Sequence, residues 1–138
     1  MLPSIIPFLS HLTRWLAAEP GIEAALLVGS HARGAARADS DVDLVFICPD
    51  PRRYLDHDEW LSQFGEITRL VDEDWDALHS RRVFYAAGLE VEFGITSPAW
   101  AAVDPLDPGT RRVVSDGARI LLDKTGILAA LLDAVLPS

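Results

Sequence analysis

The apolar residues of the first third of the chain follow a helical pattern and then an extended one. Large apolar side chains recur three and four positions apart, which predicts an amphipathic helix carrying Ile5, Phe8, Leu9, Leu12, Trp15 and Leu16. Glu19-Pro20-Gly21 ends this helix, because proline and glycine both interrupt helical structure. Residues 22–28 are apolar apart from Glu23 and predict a buried strand.

A second apolar run, residues 42–47, carries Val, Leu, Phe and Ile on both faces of an extended chain. This pattern predicts a strand in the middle of a sheet, and Pro49-Asp50-Pro51 ends it. Between the two strands, residues 30–36 are predicted to form a short helix or a helical turn. The polar and aromatic segment 52–64 is predicted to be a helix or an ordered loop.

The second half of the chain predicts three further strand regions and a closing helix. They cover 66–71, the hairpin 82–86 with 89–96 around Ala87-Gly88, the strand 118–122 and the helix 127–135. Residues 104–109 are predicted to be a turn-rich loop, and Asp72-Glu73-Asp74 a solvated turn. These elements predict one α/β (α+β) domain over 1–138, with a small mixed sheet. We expect helices to pack on one side of it, the first and last helices included.

Composition narrows the functional classes. A chain of 138 residues with net charge −9 and pI near 4.7 lacks the basic excess of a general nucleic-acid binder. An acidic chain can still bind nucleotides where metal ions supply the positive charge. Cys48, the single cysteine, excludes a disulfide framework and is expected to be buried or half-buried. The sequence predicts neither a signal peptide nor a membrane span, so we expect a cytoplasmic protein.

A Gly-Ser pair follows the first strand, in Val28-Gly29-Ser30. Gly29 permits a sharp turn and close backbone approach, and Ser30 with the N–H groups of a following helix can hold phosphate oxygens. Gly29-x4-Gly34 resembles the start of a P-loop, but Ala35-Ala36 stands where that motif needs lysine and a hydroxyl residue. The P-loop class is therefore excluded, and a dinucleotide-binding Gly-x-Gly-x-x-Gly motif is absent.

Two carboxylates, Asp41 and Asp43, lead the second strand and share one of its faces, about 7 Å apart. Divalent metals that accompany a triphosphate are bound by such carboxylates. The alternative is that Ser30 is only a helix cap and that both aspartates lie on the solvated face of an edge strand. The strand is otherwise apolar on both faces, and unpaired buried carboxylates are costly, which favours a metal site.

A third acid lies in Leu89-Glu90-Val91-Glu92-Phe93, where Glu90 and Glu92 share one strand face. If this strand neighbours that of Asp41 and Asp43, one of the glutamates completes a group of three carboxylates. Like charges at such distances resist simultaneous ionisation. We therefore expect the site to depend on a cation, and one of the acids to have a raised pKa.

At these residues the chain resembles the nucleotidyltransferase superfamily named after DNA polymerase β, most of all its minimal and aminoglycoside-type branches. The three elements of the superfamily pattern are matched by Val28-Gly29-Ser30, Asp41-Val42-Asp43-Leu44 and Val91-Glu92-Phe93. The resemblance covers about residues 22–96. It implies the nucleotidyltransferase fold and a reaction that moves a nucleoside monophosphate from an NTP, with ATP the expected one, to a hydroxyl acceptor.

The resemblance also implies roles for individual residues. Gly29 and Ser30 would bind the triphosphate, Asp41 and Asp43 both Mg²⁺ (or Mn²⁺) ions, and Glu92 the catalytic metal while helping to activate the acceptor hydroxyl. Glutamate replaces the commoner aspartate at this third position, so Glu90 stays open as a substitute. For two further candidate residues, the sequence supports two interpretations equally. Arg33 would reach the phosphates or be solvated, and Ser40 would hydrogen-bond the aspartate pair or form a turn.

The acceptor stays open at this point. Antibiotic-modifying relatives have a C-terminal helical domain that helps to bind the acceptor, whereas about forty residues follow Thr96 here. Minimal relatives act with a helical partner protein or as homodimers. The favoured prediction is an Mg²⁺-dependent nucleotidyltransferase acting on a small molecule such as an antibiotic, or on a partner protein. The alternative is a non-catalytic or weakly catalytic, antitoxin-like module of the same fold that binds a partner.

Overall fold

Six strands form one mixed sheet in the computed structural model, which describes residues 5–37, 39–75 and 78–136. The strands are β1 (Ala24–Val28), β2 (Val42–Ile47), β3 (Ile67–Trp75), β4 (Leu78–Tyr85), β5 (Glu90–Thr96) and β6 (Ala118–Asp123). Their spatial order is β3-β4-β5-β2-β1-β6. β2 and β5 run parallel, and the other neighbours run antiparallel. The mixed sheet and the central position of β2 are confirmed.

The described residues also form four α-helices, α1 (Ile6–Ala18), α2 (Arg52–Leu55), α3 (Pro108–Ser115) and α4 (Ile127–Val135), with 3-10 segments at Glu59–Phe64 and Pro98–Ala101. The predicted first and last helices are present. α1 ends at Glu19, whose backbone is extended because Pro20 follows it. None of the helices in the described ranges is long and apolar enough to cross a membrane.

The helices cover both faces of the sheet, so the prediction of a one-sided packing was wrong. α1 and the segment 52–64 pack against Leu27 and Phe46 on one face, whereas α3, α4 and the segment 98–101 pack against Leu26 and Val45 on the other. The reason is the composition of β1 and β2, whose residues are apolar on both faces and need cover on both. α1 and α4 therefore lie on opposite sides.

Two elements differ from their predictions. β3 continues to Trp75, so Asp72-Glu73-Asp74 is strand and not a solvated turn. Its acids pair with bases on β4, as in the 3.1 Å contact between Asp72 and Arg81. The predicted loop 104–109 includes the start of α3, because Asp107 accepts a hydrogen bond from the Thr110 N–H and Pro108 follows it.

Cys48 follows β2 and is fully buried, as expected. Burial, with the nearby charge of Asp50, raises the pKa of its thiol to about 12. The thiol therefore stays protonated near neutral pH and has a packing role.

Candidate active site

The Gly-Ser turn lies directly against one of the predicted metal ligands. Val28, the last residue of β1, pairs with Asp43 of β2, and the chain then turns at Gly29 with φ +76°. A Cβ at position 29 would collide with Asp43 Oδ2. Glycine is therefore required here twice, for the left-handed backbone and for the approach of the carboxylate.

After Ser30 the chain forms hydrogen-bonded turns and no regular helix. The N–H groups of Ala32 and Arg33 both donate to the Gly29 carbonyl, at 3.1 and 3.2 Å. The helical-turn form of the prediction is thus the one observed, and a helix-capping role for Ser30 is not. Arg119 of β6 donates from Nε to the Ala32 carbonyl at 3.0 Å, which ties the turn to the far edge of the sheet.

Three carboxylates converge beside this turn. Asp41 immediately precedes β2, Asp43 is on it, and Glu92 of the parallel strand β5 stands level with Asp43 in the register. One oxygen from each lies within 4.8 Å of the others. The prediction that these acids come from neighbouring strands and meet is confirmed, and Glu92, not Glu90, is the glutamate in the group.

Asp43 is the most perturbed member of this carboxylate triad (Asp41, Asp43 and Glu92). Burial first, and then the charges of Asp41 and Glu92, raise the pKa of Asp43 to about 8. Its Oδ1 is buried and has no hydrogen-bond partner among the described residues. The expected raised pKa is therefore found, at Asp43.

These features fit a hard divalent cation. Mg²⁺ prefers oxygen ligands and is held in nucleotide sites by one or two carboxylates together with phosphate oxygens. A cation at the triad would offset the mutual repulsion of the acids and give the unpartnered Asp43 oxygen a ligand role. The donor set, all carboxylate and partly buried, agrees with that chemistry.

Arg82 of β4 is the site residue that sequence reasoning missed. Its guanidinium contacts four carboxylates: Asp41 at 2.8 Å, Glu90 at 2.6 Å, Glu92 at 3.0 Å and Glu73 at 2.6 Å. Burial alone would lower the pKa of Arg82, but hydrogen bonds to Glu73, Asp41 and Glu90 outweigh it and raise that pKa further. Arg82 therefore stays charged and is enclosed by acids.

The predicted hairpin contained only part of the signal for Arg82, because it paired the strand of Arg82 with the strand of Glu92. A two-residue turn at Ala87-Gly88 would pair residue 82 with residue 93, whereas the observed loop, 86–88, is one residue longer and pairs Arg82 with Glu92. Directly opposed residues on an antiparallel pair have adjacent side chains on one face. Counting back from the predicted two-residue turn would have placed Val83 opposite Glu92, so the extra loop residue is what brings Arg82 beside the third acid.

The other candidates lie at the margins of the site. The Ser40 hydroxyl accepts from the Arg37 N–H at 2.8 Å, which is the turn-forming alternative. His31 is 1% exposed, and its Nε2 lies 3.5 Å from the Ser40 carbonyl oxygen. Arg33 is exposed. Its phosphate-binding role, like that of Ser30 and Ser40, stays a prediction.

A cleft of about 500 Å³ opens from the triad toward α3. Asp43 and Glu92 line one end, and Trp100, Asp107 and Arg112 line the side formed by the segment 98–101 and α3. Ligand sites of drug-sized molecules have volumes of roughly 300–1,000 Å³. The carboxylates thus face a space large enough for a small-molecule ligand.

Comparison with known proteins agrees with this geometry. A family model described as streptomycin adenylyltransferase matches residues 8–135. Among solved structures, an aminoglycoside 6-adenyltransferase from Bacillus subtilis is similar, with a TM-score of 0.55 and 15% sequence identity. The similarity covers 73% of this chain and 37% of that protein, and it shows a shared fold. A search of curated proteins finds no match.

Proposed function

Because the chain belongs to the streptomycin adenylyltransferase family, we propose that it transfers AMP from ATP to a hydroxyl group of an aminoglycoside-type acceptor, with Mg²⁺ as cofactor. The observation that carries the proposal is the convergence of Asp41, Asp43 and Glu92 within 4.8 Å, against the Gly29 turn. A strand with only a packing role would need neither the three adjacent carboxylates nor the close glycine turn. The chain spans a little over a third of the similar solved structure, so acceptor and activity are both part of the proposal.

Each residue of the site would have its own role in the reaction. Asp41 and Asp43 would hold the metal ions together with the phosphates, and Glu92 would hold the ion nearest the acceptor. Bound Mg²⁺ supplies charge neutralisation of the phosphates and of the leaving pyrophosphate. The backbone of the Gly29-Ser30 turn would orient the triphosphate.

The chemical step is a displacement at the α-phosphorus. The acceptor oxygen forms the new O–P bond, the bond between the α-phosphorus and the bridging oxygen breaks, and pyrophosphate leaves. The hydroxyl proton passes to the Glu92 carboxylate as the oxygen attacks. Positioning and electrostatic stabilisation account for most of the acceleration in reactions of this type.

The cleft and the charge of the chain favour a cationic acceptor. Three acids, Asp43, Glu92 and Asp107, line the cleft together with one base, Arg112, and the chain carries net charge −9. Aminoglycosides are polyamines with several hydroxyl groups, so their charge is complementary to this wall. Streptomycin is the first acceptor to test, because it is named in the family description.

The direct test uses ATP labelled at the α-phosphate, with Mg²⁺ and streptomycin or other aminoglycosides. We expect labelled product from the wild type and a loss of about 10²–10³-fold in Asp43→Asn and Glu92→Gln. Glu90→Gln is the matched control, two residues from Glu92 on the same face, and should lose far less. Equal labelling by wild type and Asp43→Asn would refute the assigned role. No labelling with any acceptor would favour the partner-binding alternative, which size-exclusion of the native complex would then examine.

A further inference from the structure

The Arg82 guanidinium joins two kinds of carboxylate. Nη1 donates to Asp41 and Nη2 donates to Glu92, both members of the triad. Nε donates to Glu73 on β3, and Nη1 also donates to Glu90 on β5, and neither of these acids belongs to the triad. Arg82 is therefore anchored from outside the site while it holds two of the three acids inside it.

We propose that Arg82 is a positioning residue that acts as a built-in counter-cation, keeping Asp41 and Glu92 converged until the metal–nucleotide complex binds. When the complex binds, the carboxylates of Asp41 and Glu92 also interact with the metal ion, and the guanidinium stays hydrogen-bonded to Glu73 and Glu90. This inference rests on the proposed function, since it assumes that the triad binds a divalent ion.

Charge balance supports this role. Arg82 contacts four carboxylates whose side chains are 17–31% exposed, so water screens their repulsion only in part. Without the guanidinium, Asp41, Glu73, Glu90 and Glu92 would each lose an ion pair, and the repulsion among these acids would no longer be offset by it. Removing one partner of a part-buried ion cluster is costly, because the remaining charges are left uncompensated.

Arg81, the neighbouring residue, provides an internal comparison. It also forms ion pairs, with Asp58 at 3.3 Å and Asp72 at 3.1 Å, and it donates to the Leu55 carbonyl at 2.6 Å. Its side chain is 13% exposed, so it is at least as buried as Arg82 at 22%. Its carboxylate partners lie outside the triad. A purely structural arginine in this sheet should therefore behave like Arg81.

The experiment compares the thermal unfolding of wild type, Arg82→Gln, Arg82→Lys and Arg81→Gln in EDTA and in MgCl₂, with no nucleotide present. In EDTA, we expect Arg82→Gln to melt about 5–10 °C below wild type. Mg²⁺ should restore at least half of that loss, because a divalent ion can replace the missing charge. Arg82→Lys keeps the charge without the planar fork, so its loss should be smaller. Arg81→Gln should lose stability that Mg²⁺ does not restore.

The proposal is overturned if Mg²⁺ raises the melting temperature of Arg82→Gln no more than it raises that of wild type and Arg81→Gln, or if Arg82→Gln melts like wild type in EDTA. Should Arg82→Gln fail to fold in EDTA, refolding in MgCl₂ supports the proposal and failure in both contradicts it. These readouts need no turnover. A wild type that transfers no AMP, beside an Arg82→Gln that Mg²⁺ rescues, would refute the proposed function and leave the role of Arg82 intact.

Discussion

Alternate residues of β2 and β5 point to opposite faces of the sheet and carry different chemistry. Phe46 and Phe93 lie on one face, fully buried, with their ring centroids 5.9 Å apart, and Phe46 also contacts the rings of Trp15 and Trp60. On the other face of the same strands, Asp43 and Glu92 stand side by side. We call these the aromatic face and the carboxylate face.

The two faces depend on each other through the strand register. Side chains alternate with a period of two, so a shift by one residue would put the acids into the aromatic cluster. Packing of the aromatic rings therefore holds the carboxylates at their level in the sheet. The aromatic face stabilises the fold. The carboxylate face lowers the stability of the fold somewhat, because it holds like charges close together.

The largest expected effect comes from breaking the aromatic face. Phe46→Ala removes a fully buried ring that contacts three other aromatic rings. We expect the free energy of unfolding to fall by about 3–5 kcal/mol. Urea denaturation measures this, with Asp43→Asn as the opposite-face control, which should be as stable as wild type or slightly more so. Equal destabilisation by the two substitutions would contradict the division between the faces.

The next effect concerns the turn that bounds the carboxylate face. Gly29 and Gly34 have nearly the same backbone, φ +76° and φ +74°, but only a Cβ at Gly29 meets Asp43, while nothing lies within 4 Å at Gly34. Gly34→Ala should cost about 1–2 kcal/mol from the left-handed backbone alone. Gly29→Ala should cost more and should also displace Asp43.

Thermal unfolding of Gly29→Ala and Gly34→Ala with and without Mg²⁺-ATP separates these two contributions. We expect Gly34→Ala to keep the ligand-induced rise in melting temperature and Gly29→Ala to lose most of it. If both variants respond to the ligand like wild type, the close approach of Gly29 to Asp43 has no part in binding.

The sequence predicted the carboxylate face better than the helices around it. The glycine turn, the aspartate pair and Glu92 follow local patterns of period two, so strand geometry was enough to bring them together once β2 and β5 were paired. The side on which each helix packs depends on which face of β1 and β2 needs cover, and both faces are apolar. Local patterns contain no signal for that choice.

The errors at β3 and α3 have physical causes of the same kind. Asp72-Glu73-Asp74 has low intrinsic strand propensity, and it is extended because Arg81, Arg82 and His79 on β4 pair with its charges. These ion pairs are tertiary contacts, so the local sequence pattern does not contain them. At α3 the signal was local, since Asp107 and Pro108 form a helix start, but it lay within a run whose prolines and glycine favoured a loop.

Ligand binding should offset the cost of the carboxylate face. Mg²⁺ and ATP together, at saturating concentrations, should stabilise the fold by about 1–3 kcal/mol, a rise of several degrees in melting temperature. Asp43→Asn should abolish this rise, because it removes a metal ligand without leaving a repelled charge. Scans with Mg²⁺ alone, ATP alone and both together make the measurement. A full rise with ATP alone would show that the metal is not needed for binding.

The last expected effect is a dependence of the stability of the unliganded protein on pH. Asp43 has a pKa of about 8 in the folded protein, against 3.8 as the ordinary value. The folded state therefore binds this proton more tightly than the unfolded state, and the associated stability is present below pH 4 and lost as the pH rises through 8. In EDTA, the melting temperature of wild type should fall more between pH 5 and pH 9 than that of Asp43→Asn. Other groups titrate in both proteins, so the difference between the two curves is the quantity to measure. Parallel curves would mean that Asp43 is ionised throughout this range and that its neighbours do not repel it.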